Sequence, residues 1–119
     1  MSVTTQPWFA GSHALVVGLA RSGIAAARLL RRHGASVRAV DRRRVEELAP
    51  DAVELESLGV ELRAGDTDPA ALEGRDLVVV SPGVPLDLPL FREADAVVQI
   101  YAADVRHFCT YFDRNYLSR

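Results

Sequence analysis

The chain contains no lysine; all fourteen of its basic residues are arginine. That absence excludes a G-x-x-x-x-G-K-[ST] phosphate loop within these 119 residues, because the lysine of such a loop is the group that reaches the terminal phosphates. It equally excludes a Schiff-base lysine and the strand lysine of protein kinases. Cysteine is almost as scarce: Cys109 stands alone, so no internal disulfide framework exists. A reducing, cytoplasmic compartment is therefore expected. His107 and Cys109 have no further ligand set around them in the sequence, so no metal site is expected. No apolar run approaches the roughly 20 residues needed to cross a bilayer. Residues 1–8 lack the basic start and apolar centre of a signal peptide. Neither sign of charge is in large excess, and a net charge of −2 gives no general attraction to nucleic acid. What remains is ordinary for a globular chain: 119 residues, 49% of them hydrophobic, are enough for one small core.

The residues that are present converge on one stretch, Ala14 to Ala25. Leu15, Val16 and Val17 form a short apolar run of strand type. Gly18-Leu19-Ala20-Arg21-Ser22-Gly23 reads as a turn, and Ile24 to Arg32 follows with helical spacing until Gly34 stops it. A strand that breaks on glycine and feeds a helix makes an anion site, because the first N–H groups of the helix have no internal partner and the helix dipole adds positive charge there. The dinucleotide fingerprint is G-x-G-x-x-G, and here its middle glycine is replaced by Ala20. That glycine lets the backbone approach a pyrophosphate, so Ala20 weighs against standard NAD binding. The bland alternative is a tight turn of any α/β domain. Arg21 sits inside the turn and is placed either to meet a phosphate or simply to face solvent.

A second strand, Ser36 to Val40, ends at Asp41, about 20 positions beyond the glycine turn. An acidic side chain there is placed to accept from a ribose or another hydroxyl-bearing group. Arg42, Arg43 and Arg44 follow; the triplet reads as a surface charge run in which Arg42 or Arg43 is the better ligand candidate. Val45 to Leu58 reads as a helix broken near Pro50, Val60 to Arg63 as a third strand, and Pro69 to Leu72 as a short helix capped by Asp68. Asp76 to Ser81 is a fourth strand, an apolar run of the kind buried on both faces of a parallel sheet. It ends in the stiff loop Ser81-Pro82-Gly83-Val84-Pro85. Leu88 to Ala94 suits another helix and Ala96 to Ile100 a fifth strand.

Alternating strands and helices predict an α/β, Rossmann-like three-layer domain with a parallel sheet of about five strands in the order 3-2-1-4-5. Strands one and four are then neighbours, and ligands bind in the crevice beyond their C-terminal ends. The Gly18–Gly23 turn and the Ser81–Val84 loop are therefore expected to face each other. In this reading residues 1–12 are a lead-in whose Trp8 and Phe9 pack under the first helix, residues 13–100 are the Rossmann-like domain, and residues 101–119 are an atypical tail. The tail holds five of the eight aromatic residues, and its order repeats no earlier pattern.

Taken together, Gly18-Leu-Ala-Arg-Ser-Gly23, Asp41-Arg42 and the Ser81-Pro-Gly-Val84 loop after an apolar strand resemble the N-terminal domain of the Mur ligases, in particular the D-glutamate-adding members. The resemblance covers residues 12–94 and fails in the tail. It implies a domain that holds the uridine diphosphate end of UDP-N-acetylmuramoyl-L-alanine, or another UDP-linked ligand, in peptidoglycan biosynthesis, a process of the cytoplasm tied to cell shape and division. By position, Gly18, Leu19, Ala20, Arg21, Ser22 and Gly23 would border the diphosphate. Asp41 and Arg42 would border the uracil, with Ser81, Pro82, Gly83 and Val84 lining the same crevice. The family enzyme uses ATP and magnesium in a further domain, activating the substrate carboxylate as an acyl phosphate that an amino acid amine then attacks. No residue of that chemistry has a counterpart here, so no catalytic residue and no cofactor is expected in this chain. The expectation is a ligase substrate-binding domain, inactive alone, whose missing domains are supplied by another chain if at all. Two other readings stay open from the residues themselves: an NAD(P)- or other nucleotide-binding Rossmann module, and a non-catalytic interaction domain.

Overall fold

The computed structural model describes residues 10–81, residue 84 and residues 97–99. Strand β1 (His13–Val17) is central, and β2 (Ser36–Asp41) and β4 (Leu77–Val80) flank it in parallel. Strand β3 (Glu61–Ala64) pairs in parallel with β2, so the core order is β3-β2-β1-β4. At the far side a three-residue strand, β5 (Val97–Gln99), pairs in parallel with β4. The register sets Ala14 beside Val37 and Leu77, and Val17 beside Val40 and Val80.

Because strand side chains alternate between faces, the sheet has two apolar surfaces. Ala14, Val16, Val37, Ala39, Leu77 and Val79 face helix α1 (Arg21–Arg32), which contributes Ile24, Ala26, Ala27 and Leu30. Leu48, Ala52, Leu55 and Val60 complete that layer. Leu15, Val17, Val40, Val78 and Val80 occupy the other face, where Ala71, Leu72 and Val84 pack. The four residues of β4 are all buried, as expected of an apolar strand covered on both faces. Arg38 fastens the second face, since its Nη1 donates to the carbonyls of Ala71 (2.7 Å) and Glu73 (2.9 Å) while its Nε donates to Glu61.

Several boundaries differ from the sequence expectation. Helix α1 begins at Arg21, not Ile24, so the turn proper is only Gly18–Ala20. The N–H groups of a helix's first turn need no partner within the helix, and Ser22 and Gly23 are accommodated there despite poor interior propensity. Pro50 does not break a helix but starts one: it is the first residue of α2 (Pro50–Val53), between 3₁₀ turns at Val45–Glu47 and Glu54–Leu58. Asp68 caps the 3₁₀ turn Pro69–Leu72 as expected, accepting from the Ala70 N–H at 2.8 Å. The expected packing of Trp8 and Phe9, the helix at Leu88–Ala94 and the tail at 101–119 lie outside the described residues.

Candidate functional site

The site is built where β1 and β4 end. Gly18 leaves β1 with φ +93°, a conformation that L side chains rarely adopt, and its N–H donates to the Val40 carbonyl at 2.9 Å. Ser81 continues β4, held by its N–H to the Val17 carbonyl (3.0 Å), and its hydroxyl donates to the Gly18 carbonyl at 2.7 Å. Val84 closes over the same point: a Cβ on Gly18 would stand 2.6 Å from Val84 Cγ2. The expected meeting of the two loops is thus observed for Gly18, Ser81 and Val84, while Pro82 and Gly83 lie outside the described residues.

Gly23 shows why the last glycine of the turn cannot carry a side chain. A Cβ there would fall 1.8 Å from the Gly18 carbonyl oxygen and 2.7 Å from Ser81 Oγ. The first turn of α1 therefore lies directly against the end of β1. Ala20 occupies the middle position with φ −84° and ψ −168°, an extended conformation that alanine adopts freely. It is exposed, and it caps α1 without any side-chain hydrogen bond. No acidic residue lies in the first turn of α1. The first N–H groups and the positive end of the helix dipole thus meet no carboxylate from the helix itself. Arg21 is exposed at this end, whereas Leu19 and Ser22 are buried.

Asp41 is turned inward. Only 5% exposed, its Oδ2 accepts from the Leu19 N–H (2.8 Å) and from Arg43 Nη2 (3.0 Å). Its Oδ1 accepts from the Arg43 N–H (2.8 Å) and Arg43 Nε (3.0 Å). A carboxylate offers about four acceptor positions, and these four contacts come from the protein. Burial works against its charge, but the Arg43 guanidinium and the N–H groups of Leu19 and Arg43 outweigh it and hold the carboxyl below its ordinary value. Asp41 therefore clamps the glycine turn through Leu19. Arg43, which the sequence offered with Arg42 as the better ligand candidate of a surface charge run, is instead tied to Asp41; its spacing of two from Asp41 at a strand end was the available signal for that pairing. Arg42 remains exposed beside the clamp. Among the described residues no group of three metal-ligating side chains is assembled, and no helix is long and apolar enough to cross a membrane.

Residues 12–102 match the family model described as Mur ligase MurD-like, N-terminal domain. The chain belongs to this family. Among curated Mur ligase relatives, the UDP-N-acetylmuramoylalanine--D-glutamate ligase of Myxococcus xanthus is 51% identical over 86 residues, covering 72% of this chain and 19% of that protein. The enzyme of the same name from Geotalea daltonii is 40% identical over 95 residues, covering 80% of this chain and 21% of that protein. The chain thus spans about a fifth of the length of these MurD-like relatives. The fold likewise matches a pseudomurein peptide ligase type C from Methanothermus fervidus, with a TM-score of 0.63 and 21% identity over 79% of this chain and 20% of the other.

Proposed function

We propose that this MurD-like domain holds the uridine diphosphate end of UDP-N-acetylmuramoyl-L-alanine for D-glutamate addition in the cytoplasmic steps of peptidoglycan synthesis. The observation that carries the reading is the junction of Gly18, Gly23 and Ser81. It presses the uncapped first turn of α1 against the mouth of the β1/β4 crevice. The uncapped end of α1, its helix dipole and the exposed Arg21 favour an anion at this point. The diphosphate sits there, bordered by Gly18 to Gly23. The nucleoside end extends toward Asp41 and Arg42, with Asp41 shaping the wall through Leu19 and Arg42 open to contact. Ser81 and Val84 line the opposite side. ATP and magnesium belong to the rest of a full-length ligase, and the partners of this chain are the UDP-linked substrate and those further domains.

Calorimetric titration tests this with UDP-N-acetylmuramoyl-L-alanine, UDP and NAD as parallel ligands. Binding of the muramoyl ligand or UDP, with NAD silent, is the expected result. NAD binding with UDP silent would replace this reading with a dinucleotide module despite Ala20. Silence from all three ligands would leave the interaction-domain reading in its place.

A further inference from the structure

We propose that a second anion site, separate from the crevice, lies between the last turns of α1 and the Glu54–Leu58 turn, and that it takes a small diphosphate-bearing anion. A cleft of about 670 Å³ is lined there by Arg28, Arg31, Arg32, Glu54, Ser57 and Leu58. This volume lies in the range of small-molecule sites. Basic residues at a helix C-terminus are explained in part by the helix dipole, but that effect asks only that they be near the end. Here Arg28, Arg31 and Arg32 line one concavity whose lining holds a single carboxylate, Glu54.

The cleft is also organised. Arg31 Nε donates to the Leu58 carbonyl at 3.0 Å, which fixes the side chain across the turn. It lies over Gly59, where a Cβ would come within 2.9 Å of that same nitrogen. Gly59 has φ +94°, so the turn both requires glycine and leaves room for the guanidinium. One of the five donors of Arg31 is used by this bond, and the others remain for a ligand. Arg28 stands 3.8 Å from Glu54, an ion pair at the outer limit of contact that an incoming anion can displace. Arg32 is exposed. Guanidinium forks bind phosphate oxygens in pairs, and two such forks beside a fixed third suit a diphosphate better than a single carboxylate. At about 1.5 Å per residue, α1 sets Arg28 to Arg32 roughly 10–16 Å along its axis from Arg21, so the cleft is separate from the glycine turn.

The test is a titration of the isotopically labelled full chain with inorganic pyrophosphate, followed by amide chemical shifts. Shifts clustered at Arg31–Gly34 and Glu54–Gly59 are expected. The R28Q/R32Q double variant, which keeps the Arg31 tie to Leu58, is expected to bind at the cleft at least tenfold more weakly. Raised salt weakens the wild-type interaction in parallel. Shifts confined to Gly18–Ile24, no shifts into the millimolar range, or unchanged affinity in the double variant would overturn the proposal. A failure of UDP binding at the crevice leaves this outcome unaffected.

Discussion

Asp41 does two things with one carboxylate: it holds the Leu19 N–H and it binds Arg43 through both oxygens. Replacing it by asparagine keeps the size but removes the charge and turns an amide N–H toward a guanidinium. Asp41→Asn is expected to lose about 1.5–3 kcal/mol, the range for hydrogen bonds to charged groups. The loss has a pH signature. The folded carboxyl titrates below its ordinary value of 3.8. Its contribution is therefore complete above that ordinary value and disappears as the pH falls through the lowered folded one. Urea unfolding at about pH 6 and about pH 3 checks this: the gap between wild type and variant is wide at the first and narrows at the second. A gap that stays constant would mean that the Arg43 pair does not set Asp41's titration. The sequence marked Asp41 as special from its spacing and strand end. It did not reveal that the side chain points inward, because spacing locates a Cα and not the direction that packing imposes on the carboxylate.

At the scale of the element, a glycine stands near each end of α1, and the two are of different kinds. Gly34 has φ +92°, with nothing within 4 Å of where a Cβ would be. It closes the helix with its own N–H on the Arg31 carbonyl and the Ala35 N–H on the Leu30 carbonyl. Gly34→Ala therefore carries only the conformational cost, about 1 kcal/mol. Gly23 is the reverse case. Inside a helix, Gly→Ala ordinarily stabilises by about 0.5–1 kcal/mol, but here the new methyl group meets the Gly18 carbonyl at 1.8 Å. Gly23→Ala is expected to destabilise by about 3 kcal/mol or more, and to lower UDP affinity by pushing α1 away from the crevice. Thermal unfolding of the two variants side by side separates the mechanisms. Equal small losses would show that the α1–β1 contact relaxes easily. The glycine pattern in the sequence signalled that these positions were constrained; which constraint acts at each depends on the backbone that lies opposite.

At the scale of the molecule, the parallel core order β3-β2-β1-β4 goes with a MurD-like N-terminal domain whose matched residues span about a fifth of its relatives' length. With no lysine, its 119 residues hold no ATP-type phosphate loop. An ATP-dependent ligation assay with UDP-N-acetylmuramoyl-L-alanine and D-glutamate is therefore expected to give no turnover by this chain alone. Turnover would refute the division of labour proposed above. The sequence by itself determined the alternation of strands and helices, the central pairing partners and the two loops that meet, because apolar periodicity and glycine placement act locally and crossover handedness then leaves few topologies. Only the tertiary structure decided that Asp41 clamps the turn with Arg43, that Ser81 donates to Gly18, and that Arg31 lies over Gly59 in a cleft lined also by Arg28 and Arg32. The Asp41–Leu19, Arg31–Leu58 and Ser81–Gly18 contacts join residues 22 to 63 positions apart. Such contacts are set by packing the whole chain and not by any stretch of it.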